Sequence, residues 1–340
     1  MTGLERTLAF VAGKSVDRPP VHPILMRWAA RHAGVKYRDF ILDPAAKTSA
    51  AIRSAKDFDL DWVTVLSDPW TEASAFGIQL DYPEDNLPVD IGGHFPDAES
   101  AARLEPYRPL EHKRCLNRIE EIRIFRKHVG NSHFIVGWVE GPVAEYADLR
   151  GVSEAAMDFL DDPDSCRRAM DVIVESALEF ITLQVEAGAH CIGIGDAFCS
   201  QIGPRLYREL AWPGEKRMID HIHSLGALAK LHICGNTAPI LTDMIATGAD
   251  IIDIDHLVPD MSVGTGDLAP HQVFCGKSDP VSILRNGPPE RIMESVRAHH
   301  AEGRARVIVS AGCELPPDTP DANLRALGEA AKSLGDFSRP

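Results

Sequence analysis

The chain has 340 residues, 44% of them hydrophobic and 25% charged, an ordinary globular composition with room for one large domain or two modest ones. Its formal net charge of −15 lacks the basic footprint that nucleic-acid binding needs, and no apolar run approaches the roughly 18 to 20 residues that span a bilayer. Neither nucleic acid nor membrane is therefore expected as a partner. The amino terminus Met1-Thr2-Gly3-Leu4-Glu5-Arg6 has no signal-peptide core, and seven dispersed cysteines, an odd number, argue against a disulfide framework. A cytoplasmic protein with reduced thiols is expected.

Short β-rich runs alternate with longer helical patterns, the signature of a mainly parallel sheet. Eight candidate strands lie at 21–25, 62–67, 134–139, 191–195, 228–233, 251–255, 272–276 and 306–310. The turn-rich segment Tyr82-Pro83-Glu84-Asp85-Asn86-Leu87-Pro88, between the apolar groups 78–80 and 89–91, predicts a β-hairpin inserted after the second strand. Asp162-Pro163 opens a helix with Met170, Ile173, Ala177 and Ile181 on one face and Gly188 at its end; Thr319-Pro320 opens a last helix carrying Leu324, Leu327, Ala331 and Leu334. Eight strands with intervening helices predict an α/β (β/α)8 TIM barrel, a single domain over residues 1–340, with no repeat or linker.

Within this frame, His232 and Cys234 stand two residues apart at the end of the fifth strand, so their side chains share a face. Cys313 follows the eighth strand and is the candidate third ligand. Barrel active sites form at the C-terminal strand ends, where residues distant in sequence meet. Asp68, Glu140, Asp196, His256 and Cys275 would point to the same rim. A His/Cys/Cys set with an open fourth position is the pattern of a catalytic zinc. Cys115, Cys166 and Cys191 read as small core residues, and Cys275 as either packing or an alternative thiolate.

The segments His232-Ile233-Cys234-Gly235-Asn236-Thr237 and Gly312-Cys313-Glu314-Leu315-Pro316-Pro317 resemble the H-x-C…C zinc motif of the methylcobamide:coenzyme M methyltransferases, within the uroporphyrinogen decarboxylase superfamily. The resemblance extends to Arg6-Thr7-Leu8-Ala9-Phe10, Asp17-Arg18-Pro19-Pro20-Val21, Gly141-Pro142, Gly203-Pro204-Arg205-Leu206-Tyr207 and Gly276-Lys277-Ser278-Asp279-Pro280. It implies the same barrel, a Zn2+ held by His232, Cys234 and Cys313, and a methyl-corrinoid carried by a partner protein. The chemistry implied is methyl transfer between that corrinoid protein and a thiol or methylated small molecule, in either direction.

Marks of the decarboxylase branch are also present. Met26-Arg27-Trp28-Ala29-Ala30-Arg31 is similar to the segment whose arginines bind porphyrinogen carboxylates, and Asp68 matches the pyrrole-binding aspartate. Cys313 stands where the decarboxylase has a histidine, and the decarboxylase lacks the H-x-C-G pair, so the departures fall on the chemistry. Arg27, Arg31 and Tyr146 are taken as substrate-binding candidates. Asp68, Glu72 and Asp196 are taken as catalytic candidates, Glu72 by its likeness to an acidic residue of the methyltransferases' E-A-x-A-x-G stretch and Asp196 as a carboxylate orienting a ligating histidine. A porphyrinogen decarboxylase and a noncatalytic corrinoid-protein or thiol-binding module are the alternative readings.

Overall fold

The computed structural model of the chain describes residues 1–335. In chain order its strands are β1 (Trp62–Thr64), β2 (Gln79–Asp81), β3 (Val89–Gly92), β4 (Phe134–Glu140), β5 (Cys191–Gly195), β6 (Leu228–Ile233), β7 (Ile251–Ile254), β8 (Val273–Ser278) and β9 (Val307–Ala311). Seven form one parallel sheet in the order β1-β4-β5-β6-β7-β8-β9, while β2 and β3 form a separate antiparallel pair. Helices connect the parallel strands. They cover the sheet so completely that β4, β5, β7, β8 and β9 are buried along their whole length, as apolar strands of a parallel sheet require. The longest helix, Pro163–Ala187, starts where Asp162 accepts a hydrogen bond from the Ser165 N–H and stops at Gly188 in the left-handed region.

The two faces of the sheet carry different cores. One packs against the helices; the other gathers Phe134, Val136, Cys191, Ile251, Val273, Cys275 and Ile308 with Phe10, Val11 and Val16 from the amino-terminal region. Following the two-residue period along this second face, Val136 leads to Trp138 and Glu140, and Ile251 to Asp253. The register then aligns Glu140, Gly195, His232, Asp253 and Cys275 across successive strands. The face is apolar at the N-terminal strand ends and polar at the C-terminal ends.

The expected first strand, 21–25, is not a strand. Two isolated parallel bridges, Val21 with Val309 and Ile24 with Glu314, are all that form. Pro19, Pro20 and Pro23 lack the N–H groups that a ladder needs. The segment nevertheless bonds to both edges of the sheet: the His22 N–H donates to Val309 O (2.9 Å), and Val21 O accepts from the Asp61 N–H (3.0 Å) just before β1.

Asp61 is the knot at this junction. Its buried carboxylate accepts from Arg6, from Arg18 (2.6 Å) and from the Val21 N–H (2.6 Å). The amino-terminal helix, the proline-rich segment and β1 are thus tied through one side chain. Removing one partner from a buried charged network leaves the others desolvated and unpaired, so Asp61→Ala should cost about 3 to 5 kcal/mol in chemical denaturation. A loss below about 1 kcal/mol would show that the knot is dispensable.

Candidate metal centre

Strand β6 reads Leu228-Ala229-Lys230-Leu231-His232-Ile233, and its even positions face the interior, Leu228 at the apolar end and Lys230 and His232 toward the polar end. The His232 Nε2 lies 3.2 Å from the Cys234 Sγ, and the Cys234 Sγ lies 3.7 Å from the Cys313 Sγ. All three donor atoms fall within 4.8 Å of one another. Cys313 reaches the group because Gly312 lets the chain pass close to the next loop: a Cβ there would sit 2.2 Å from the His256 main-chain nitrogen.

Behind His232, Asp253 on β7 lies 3.0 Å from Nδ1 and also pairs with Lys230. Burial disfavours charge on His232, but the Asp253 carboxylate and Cys313 outweigh it and raise its pKa to about 9. Hydrogen bonding from Cys234 lowers Cys313 to about 4, against burial and with help from His232. The same bond, with burial, pushes the Cys234 thiol well above its usual value. The shifts favour charge on His232 and on Cys313 and disfavour it on Cys234, so a metal would displace protons on binding.

The other expected site residues are engaged elsewhere. Asp68 is buried and accepts two bonds from Arg114 (2.9 and 2.5 Å), one from Ser67 Oγ (2.6 Å) and one from the Trp70 N–H (3.0 Å). Glu72 accepts from Arg118 (3.2 Å) and from the Glu140 N–H (3.0 Å). Asp196 does not orient His232: its carboxylate caps the helix Pro142–Arg150, accepting from the Ala144 N–H (2.6 Å), because the free N–H groups at a helix start attract a carboxylate. Only its main-chain N–H reaches His232, at the carbonyl oxygen (2.9 Å). Asp196 converges instead with Cys199 and Glu215, a second buried group in which Tyr207 donates to Glu215 (2.5 Å).

Tyr146 is fully buried and donates to Asp158 (2.8 Å), an ion-pair partner of Arg150, so its hydroxyl is committed away from the centre. Arg31 donates to the Pro317 carbonyl (2.7 Å) on the surface. Arg27 pairs with Glu314 (3.3 Å), the residue after Cys313, and is the arginine that stays beside the centre. Cys275 packs in the inner apolar cluster and does not join the converging donors. The carboxylate that sequence reasoning missed is Asp253; a charged residue inside the apolar run Ile251-Ile252-Asp253-Ile254 was the available signal.

Comparison with known proteins adds the lineage. The family described as Uroporphyrinogen decarboxylase (URO-D) matches residues 2–334. The chain belongs to the uroporphyrinogen decarboxylase family. Curated relatives include the uroporphyrinogen decarboxylase of Prochlorococcus marinus (strain MIT 9313), 29% identical over 96% of this chain and 95% of that one, and the enzyme of Nostoc sp. (strain PCC 7120 / SAG 25.82 / UTEX 2576), 27% identical over 95% of each. Among solved structures, a methyltransferase from Methanosarcina mazei superposes with a TM-score of 0.88 at 24% identity, covering 98% of this chain and 99% of that one. A putative vitamin-B12 independent methionine synthase from Listeria monocytogenes superposes with a TM-score of 0.58 at 13% identity, over 94% and 98% of the two chains. These likenesses establish the fold. Among the described residues, no helix is long and apolar enough to cross a membrane.

In this family member the Asp68–Arg114 pair makes a pH-dependent contribution to stability. Burial alone would raise the Asp68 pKa, but Arg114 holds it well below the usual carboxylate range. A depressed folded-state pKa stabilises fully above the unfolded value of about 4, and that stability is lost as pH falls toward the folded value. Asp68→Asn should therefore cost about 3 kcal/mol at pH 7, with the gap to the wild type narrowing below about pH 4 in denaturant titrations. A gap independent of pH would refute the assignment.

Proposed function

We propose that the protein is a zinc-dependent methyltransferase that exchanges a methyl group between a partner corrinoid protein and a thiol or methylated small molecule. On this reading His232, Cys234 and Cys313 hold the zinc, the sheet with its bridging segment forms one (β/α)8 barrel, and residues 1–340 act as one cytoplasmic domain. The observation that carries the reading is the convergence of the three donors. A tetrahedral zinc with Zn–S near 2.3 Å and Zn–N near 2.0 Å has edges of about 3.8 Å between sulfurs and about 3.5 Å between sulfur and nitrogen. The 3.7 Å and 3.2 Å separations fit that set without rearrangement of the backbone.

Zinc bound in this way would supply Lewis acidity, lowering the pKa of a thiol at its open position or polarising a methylated group. The chain's own residues prepare it. Asp253 draws the His232 proton to Nδ1 and leaves Nε2 facing the two sulfurs, while Lys230 balances the Asp253 charge. Arg27, held by Glu314 next to Cys313, offers a cation at the rim for an anionic part of a substrate or corrinoid.

The decarboxylase reading draws on curated relatives of that name. It asks Arg27, Arg31 and Asp68 to receive a porphyrinogen, whereas Asp68 is saturated by protein donors and Arg31 lies at the surface. A noncatalytic module would retain zinc and bind a corrinoid protein without turnover.

Purified protein should contain about one zinc per chain, and Cys313→Ala should lose it while remaining folded. Wild-type protein without zinc that shows the same thiol affinity would sink the proposal, and methyl transfer from any methyl-corrinoid would exclude the noncatalytic module. Asp253→Asn keeps all three donors but removes the carboxylate behind His232. It should weaken zinc affinity about 10- to 100-fold in a chelator competition.

A further inference from the structure

Across Trp138 from the metal centre lies a buried acidic group for which the proposed methyl transfer has no use. The Trp138 Nε1 donates to Glu140 Oε1 (2.8 Å), and its ring centre stands 6.4 Å from that of His232. The Glu140 main chain bonds to Glu72, whose other oxygen meets Arg118. Glu145, on the helix Pro142–Arg150, completes the group. It is 1% exposed, and neither of its carboxylate oxygens has a partner.

One further buried group nearby is unpartnered: the Tyr107 hydroxyl, which feels the charges of Glu72 and Glu145. Burial first, then repulsion from Glu72, raises both Glu140 and Glu145 well above the carboxylate range. Asp148, one turn beyond Glu145, is raised by burial and Glu72 in the same way. Three buried carboxyl groups, those of Glu72, Glu140 and Glu145, thus share one guanidinium, that of Arg118, since Arg114 is already paired with Asp68. Buried acceptors without donors are costly, and a native protein accounts for them with a ligand, water or an ion.

The geometry selects among these. Among the described residues, the His, Cys, Asp and Glu donors that converge closely enough for a bare metal ion are His232/Cys234/Cys313 and Asp196/Cys199/Glu215. None of these carboxyls belongs to either set. Buried carboxyls that are spread apart suit a polyatomic cation with several divergent N–H donors, as a primary ammonium has, because its charge would draw the protons off Glu140 and Glu145 and supply the donors that Glu145 lacks.

We propose that Glu145, with Glu72, Glu140 and the Tyr107 hydroxyl, is the subsite for the protonated amine of a small molecule whose sulfur or methyl group reaches the metal centre. The inference rests on the zinc reading for the second half of that statement only. It assigns the substrate class: an amine at one end, and a thiol or methylated group at the other, spanning Trp138.

The test compares 2-aminoethanethiol with 2-mercaptoethanol, in which a hydroxyl replaces the ammonium, by calorimetry on zinc-loaded protein, with each affinity corrected for the acidity of the free thiol. The amino thiol should bind at least about tenfold more tightly, the worth of one charge-assisted hydrogen bond, and Glu145→Gln should bring the ratio close to one without changing metal content. Equal affinities in the wild type, or a preference that survives Glu145→Gln, would overturn the proposal. Should the variant fail to fold, methylammonium chloride provides the second measurement: it should raise the thermal midpoint of metal-free wild-type protein more than sodium chloride at equal ionic strength. Matched effects of the two salts would mean that water alone fills the group, which also overturns it. Protection by methylammonium in a protein that binds no zinc would leave the cation subsite standing and remove the methyltransferase reading alone.

Discussion

Asp253 is the charge on which the interior depends. Three ionisable side chains, Lys230, His232 and Asp253, are buried on adjacent strands, and each would be costly alone. Together they form a cation, an anion and a switchable imidazole in one row, set by the pairing of His232 with Asp253 and by the two-residue step from Lys230 to His232. The parallel register therefore does the electrostatic work. Without the carboxylate, Lys230 and His232 would compete as like charges in a dry space, and the imidazole would lose the contact that orients its ring.

Much of this architecture was legible in the chain. The strands at 134–139, 191–195, 228–233, 251–255, 272–276 and 306–310 reappear within two residues at either end, because fully buried parallel strands write themselves as unbroken apolar runs. The 21–25 segment also looked apolar, but its prolines remove donors that no periodicity records. Likewise, 62–67 shortens to Trp62–Thr64, since the residues beyond it turn away to place Asp68 against Arg114.

The three converging donors were legible for a geometric reason and their supporting residues were not. His232 and Cys234 obey the strand period, and Cys313 lies at an equivalent strand end, so the convergence follows from the sheet and from the close passage that Gly312 allows. The partners of Asp68, Glu72, Asp196 and Tyr146 come from helices that pack over the strand ends, at separations in sequence that no pattern encodes: Arg114 to Asp68, Arg118 to Glu72, the start of the helix at Pro142 to Asp196. Each carboxylate carries the right chemistry for a site residue and is consumed by a tertiary neighbour. Asp253 is the converse case, a residue inside a strand whose function depends wholly on the strand beside it.

Strand β5 has no side chain at two consecutive interior positions. A Cβ at Gly193 would stand 2.4 Å from the Trp138 ring, and one at Gly195 would stand 2.7 Å from it. The indole therefore lies over bare backbone, with its Nε1 on Glu140 and its ring beside that of His232. A methyl group added at either glycine would press on the indole that stands between His232 and Glu140, so these two positions of β5 are closed to any side chain while Trp138 keeps its place.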